Sequence, residues 1–162
     1  MLQRIQTVFM FLAIVMGVLT FFFPIATYFS ETVYFQYFLY EIRNLSPDPF
    51  NEMGVVSGGI SDWFVLPLAL LQVVILALIF ITIFRYRKRL LQIRLNYLTI
   101  FLNVLLVGGI FYASTMLEQE SQTRPDYGLG GIFPLITIIL IFLANNYIRK
   151  DERLIRSADR LR

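Results

Sequence analysis

Cysteine and histidine are both absent from the sequence. Their absence excludes a disulfide framework, a thiolate nucleophile, and zinc or haem held by those side chains. It also excludes acid–base catalysis by histidine. Charge is scarce as well. Asp, Glu, Lys and Arg make up 15% of the 162 residues, against about 25% in a soluble domain. No G-x-G-x-x-G pattern or Walker-type lysine occurs, so the glycines do not form a phosphate-binding loop. What fills the chain is apolar. The hydrophobic share is 57%, more than a soluble domain of this length carries. Lipid can solvate such a surface.

A spanning helix needs about 20 mostly apolar residues. Four stretches qualify, at about residues 7–28, 63–84, 95–116 and 131–148. The expected fold is therefore an all-α membrane protein, a bundle of four transmembrane helices. Arg4 ahead of the first stretch raises a signal peptide as an alternative. That apolar run is longer than an h-region, however, and no A-x-A site follows, so it reads as a retained anchor. Pro67 and Pro134 fall in the first turns of spans two and four, where a missing N–H costs little. Pro24 is expected to kink or end span one.

Orientation follows the basic residues. Arg4 precedes span one. Arg85, Arg87, Lys88, Arg89 and Arg94 separate spans two and three. Arg149, Lys150, Arg153, Arg156, Arg160 and Arg162 follow span four. Twelve of the 14 basic residues thus share one side, leaving Arg43 and Arg124 on the other. The basic side is expected to be cytoplasmic, with both termini on it. The net charge of +3 is accounted for by topology, and nucleic acid is not an expected partner.

The first outer loop, about residues 29–62, is dense in aromatic and β-branched residues from Thr32 to Ile42, which favours strand. Asn44 to Pro49 is turn chemistry, and Met53 to Val56 is expected to return as a second strand. Tyr34, Phe35, Tyr37, Phe38, Tyr40 and Trp63 are candidate partner-binding residues, because exposed aromatics often mark contact surfaces. The plainer alternative is an amphipathic cap at the membrane interface. The second outer loop, about residues 117–130, is short and polar, with Gly128, Gly130 and Gly131 expected to give span four a flexible start.

No Asp, Glu, Lys, Arg or His lies inside any of the four spans. Pumps and ion-coupled transporters usually place such groups in the membrane, and no internal repeat suggests inverted halves. The neutral polar residues Gln72, Asn96, Asn103, Asn145 and Asn146 are expected to bridge helices, with Asn96 and Asn103 on one face. A polar seam that binds a ligand is the sharper alternative. Asn96 is expected near Asn145 or Asn146. Ala13/Gly17 and Gly109/Ala113 are small-xxx-small pairs suited to close helix approach.

The tail from Arg149 onward is expected to continue span four as an amphipathic helix. Leu154, Ile155, Ala158 and Leu161 fall on one stripe. Leu154, Ile155, Arg156 and Arg160 are candidate docking residues, with lipid headgroups as the plainer partner.

The chain resembles the bacterial membrane-protein family called domain of unknown function 4293. The resemblance rests on Met1 to Thr7, Phe22-Phe23-Pro24, Arg85 to Leu95 with Gln92-Ile93-Arg94-Leu95, and Ala144 to Arg162 with its Ser157-Ala158-Asp159-Arg160-Leu161-Arg162 ending. It implies a bacterial inner-membrane location and no activity. A large β-prone outer loop followed by a short one is also similar to claudin-type four-span proteins, by fold analogy alone. The paired loop cysteines of that group are absent. Together these features point to a non-enzymatic accessory or assembly subunit with no cofactor. Membrane lipids and a membrane protein are its expected partners. The alternative is a small lipid-binding or lipid-transporting protein.

Overall fold

The computed structural model describes residues 3–30, 34–45, 64–85 and 89–159. Four long helices form a bundle: α1 (Gln3–Phe22), α2 (Leu66–Phe84), α3 (Arg89–Ser121) and α4 (Phe133–Asp159). All four are long and apolar enough to cross a membrane. Their outward faces carry Phe11, Leu70, Phe101 and Ile139, each more than half exposed. A soluble domain does not expose apolar surface on that scale. The chain is a multi-pass membrane protein.

The inward faces follow one rule. Buried positions recur at alternating steps of three and four residues on every helix. On α1 they are Gln6, Met10, Ala13, Gly17 and Thr20; on α2, Gln72, Ile75, Ile79 and Thr82. On α3 they run from Gln92 through Asn96, Thr99, Asn103, Leu106, Ile110 and Ala113 to Leu117. On α4 they are Pro134, Thr137, Ile141, Ala144, Ile148 and Asp151, and Ser114 on α3 and Asn145 on α4 are buried one step off this repeat. A repeat averaging 3.5 residues is the seam of a left-handed bundle.

Contacts fix the register. Gln6 meets Asp151, Phe9 stacks on Tyr147, and Phe23 meets Phe133 edge-on. Thus α1 and α4 run antiparallel along their length. Gln92 reaches both Thr82 and Met10, so the α2–α3 connection shares an end with the start of α1 and the end of α4. This is the basic end. Small residues permit the closest approaches, as the small-xxx-small spacing predicts. A Cβ at Gly17 would sit 2.7 Å from Leu76 Cδ2, and one at Gly109 2.5 Å from Leu68 Cδ2.

The opposite end carries a four-stranded antiparallel sheet. Its strands are β1 (Ala26–Phe29), β2 (Tyr34–Tyr37), β3 (Ile42–Asn44) and β4 (Pro125–Tyr127), in the order β3-β2-β1-β4. Here the structure corrects three expectations. Span one was expected to reach Tyr28, but α1 ends at Phe22. Pro24 has no N–H with which to continue the helix, and the residues after it join the sheet. The aromatic run was expected to be one strand, but it folds back on itself. Tyr37, Phe38 and Leu39 are all buried in succession, which a strand's two-residue alternation does not allow, so the chain turns there and Phe38 N–H donates to the Glu41 carbonyl. The strand that returns after this turn is β3; the strand expected at Met53 to Val56 lies outside the described residues.

The third correction concerns the second outer loop, which contributes a strand rather than a flexible linker. Gly128 N–H donates to the Ile25 carbonyl (2.9 Å) and Gly130 N–H to the Pro24 carbonyl (3.1 Å). These carbonyls lie in the short segment that leads from α1 into β1. A Cβ at Gly130 would lie 2.4 Å from the Phe23 carbonyl oxygen. Glycine is present because two backbones touch there, not because the segment must bend. α3 ends at Ser121, and the φ of 53° at Gln122 stops the helix. The expected tail helix is present, since α4 runs unbroken to Asp159.

Candidate functional site

Two regions place polar groups where their neighbours are apolar: the outer sheet and the bundle seam. The sheet has unlike faces because strand side chains alternate. Ala26 and Tyr28 on β1 pair with Tyr37 and Phe35 on β2, and all four are buried. The Tyr28 and Phe35 rings stack with centroids 4.6 Å apart. The Tyr28 hydroxyl donates to the Ser114 carbonyl on α3 (2.9 Å), which pins this face to the bundle. Burial pushes the Tyr28 phenol up to about 12 and moves Tyr37 upward as well, so both stay protonated in any physiological medium.

The opposite face carries a row of four polar side chains, one per strand. Arg43 pairs with Gln36, Gln36 with Thr27, and Thr27 with Asp126. The row has a cation at one edge and a carboxylate at the other. Arg43 also meets Glu41 at 2.5 Å and lies over the Phe38 ring. Beside β4, a cleft of 450 Å³ at the end of α3 is lined by Thr115, Glu118, Gln119, Gln122, Thr123 and Arg124.

The expected aromatic partner residues separate. Phe35, Tyr37 and Phe38 are in the core, Tyr34 is half-buried and Tyr40 is exposed. Three of the five therefore hold the sheet down instead of facing outward. Trp63 and Arg160 lie outside the described residues, as do the side chains of Leu154, Ile155 and Arg156.

Within the seam, Gln72 Nε2 donates to the Gly17 carbonyl (2.8 Å), joining α1 to α2. Gln72, Asn96, Asn103 and Asn145 are buried, whereas Asn146 is exposed. One helical step of about 100° separates the last two, enough to turn Asn146 off the seam. Asn96 and Asn145 both face inward from neighbouring helices. Asn96 Nδ2 and Asn145 Oδ1 each lack a partner. At the basic end, Gln6 Nε2 donates to Asp151 Oδ2 at 2.8 Å, with both residues buried. Arg149 hydrogen-bonds the Tyr97 hydroxyl.

The family match covers residues 2–161 and is described as Domain of unknown function (DUF4293). The chain belongs to this family. No curated protein and no solved structure matches it. Membership in DUF4293 assigns no chemistry to the Arg43–Asp126 row or to the seam. The row escaped sequence reasoning because it depends on how four short strands pair. The seam polar residues Gln6, Gln92 and Asp151 were also missed, although the three-and-four spacing of buried positions would have revealed them.

Proposed function

We propose that this protein is a non-enzymatic accessory or assembly subunit of a bacterial inner-membrane complex, and that the polar face of its sheet is the surface offered to a partner. The observation that carries this reading is the row Arg43–Gln36–Thr27–Asp126. It lies on a sheet that backbone bonds and Tyr28 tie to α1, α3 and the start of α4. A platform fixed in this way loses little freedom when a partner docks, which favours binding. The basic-residue partition supports a cytoplasmic location for both termini and an external sheet. Lipid surrounds the exposed apolar helix faces, and the α4 extension offers a second contact on the basic side. No acid–base pair suited to catalysis is assigned to the platform, and no cofactor is invoked.

Crosslinking in native membranes, mild solubilisation and mass spectrometry test the reading. A reproducible partner should be recovered with the unaltered chain. It should be lost with Thr27→Arg plus Gln36→Glu, while membrane insertion persists. A monodisperse protein with no reproducible partner in crosslinked native membranes would refute it.

A further inference from the structure

Along the α3 seam, the basic half is polar at four successive positions, Gln92, Asn96, Thr99 and Asn103. The next three, Leu106, Ile110 and Ala113, are apolar. The contacts Phe64–Tyr112, Gln92–Thr82 and Leu68 against Gly109 set the α2–α3 register and place Gln72 level with Asn103. Arg149 over Tyr97 sets α4 so that Asn145 falls between the levels of Asn96 and Asn103. The four amides therefore occupy about two helical turns, roughly 11 Å of depth.

Each is at least 98% buried, and each has an atom without a hydrogen-bond partner. These atoms are Gln72 Oε1, Asn145 Oδ1, Asn96 Nδ2, and both Oδ1 and Nδ2 of Asn103. The set mixes acceptors with donors. A cation would satisfy only the oxygens, and an anion only the nitrogens. A small neutral molecule that both donates and accepts would satisfy all of them, and water is the smallest such molecule. In hydrocarbon no other solvent is available to them. The Thr99 hydroxyl is already bonded to its own helix at Leu95, so the amides are the groups that water would serve.

We propose that the middle of this bundle is a hydrated polar chamber, reached from the basic end and closed toward the sheet by Leu106, Ile110 and Ala113. Gln92 and Thr82 line its approach. The Tyr37 hydroxyl and Ser114 Oγ, also unpartnered, lie beyond the apolar closure beneath the sheet and are not part of it. The inference is independent of the partner-docking reading.

The chain has no cysteine, so single cysteines report access directly. Thr99→Cys, Asn103→Cys, Leu106→Cys and Ile110→Cys are placed in vesicles of either orientation and treated with a small charged methanethiosulfonate reagent. Thr99→Cys and Asn103→Cys should react from the side of the termini about tenfold or more faster than Ile110→Cys, because a thiolate forms only where water solvates it. Asn103→Leu added to Thr99→Cys should slow that reaction by a similar factor. Folding of each variant is checked by size-exclusion chromatography in detergent. Absence of reaction at both polar positions in folded protein would overturn the proposal in favour of a dry, directly bonded seam. Equal reaction at Ile110→Cys from both sides would overturn the closure. Protection of Thr99→Cys by sodium or potassium chloride, but not by choline chloride, would reassign the site to a cation.

Discussion

Gly130→Ala should be the most damaging alanine substitution at any glycine of this chain whose surroundings are described. The added Cβ would lie 2.4 Å from the Phe23 carbonyl oxygen, 2.7 Å from the Pro24 carbonyl oxygen and 2.8 Å from the Pro24 carbonyl carbon. All three are backbone atoms, so no side chain can swing aside. The junction between the end of α1 and the start of α4 must open instead. Opening it strains the packing by about 1–3 kcal/mol. It also endangers the Gly130–Pro24 and Gly128–Ile25 hydrogen bonds, each contributing about 0.5–1.5 kcal/mol. The combined loss is about 2–6 kcal/mol. Two other glycines serve as controls. A Cβ at Gly131 meets nothing closer than 3.7 Å, and one at Gly108 meets nothing within 4 Å. Gly108→Ala lies inside α3 and should raise stability by about 0.5–1 kcal/mol, since alanine leaves less backbone entropy to lose. The assay is unfolding in mild-detergent micelles titrated with sodium dodecyl sulfate, followed by far-ultraviolet circular dichroism. The expected order of midpoints is Gly108→Ala highest, Gly131→Ala near the unaltered protein, and Gly130→Ala lowest. A Gly130→Ala midpoint equal to the unaltered protein, or a Gly108→Ala midpoint below that of Gly130→Ala, would refute the backbone-contact reasoning.

The Gln6–Asp151 bond should respond unequally to loss of either partner. Gln6→Leu leaves a buried carboxylate without its donor and should lower stability by about 1–3 kcal/mol in the same unfolding assay. Asp151→Leu leaves only a neutral amide and should cost less; the reverse order would contradict the assigned donor and acceptor. For Tyr28, the folded phenol titrates near 12 against 10.0 for the free side chain. Its contribution is fully present below about pH 10 and is lost as pH rises toward 12. Stability should therefore fall across that window, and Tyr28→Phe should flatten the fall; an unchanged profile for Tyr28→Phe would place the dependence elsewhere. The topology predicts that Gln122→Cys and Lys150→Cys label from opposite sides of the membrane, and labelling from the same side would invalidate it.

Much of the architecture is legible without coordinates, because a bilayer imposes its thickness on any helix that crosses it. Four apolar runs, the prolines at the starts of α2 and α4, and the proline-free continuation through Asp159 were each local features. So were Gly17 and Gly109, whose spacing anticipated close packing. The partition of basic residues was countable as well, and the family resemblance lay in contiguous motifs.

The outer sheet was not legible in this way. Thr27, Gln36, Arg43 and Asp126 are spread over 100 positions of chain, and only strand pairing brings them into one row. The same pairing turned Phe35 and Tyr37 from expected contact residues into anchors. An aromatic-rich segment states that apolar area must be covered, while the fold decides whether a partner or the bundle covers it. Asn145 and Asn146 show the same division on one helix. Their chemistry is identical, and the helical turn between them sends one inward to the seam and the other outward. Sequence by itself determined that this chain crosses a membrane and where its polar amides occur. Tertiary structure decided which of those amides are buried in the seam, because depth and register are shared between helices and belong to no single one of them.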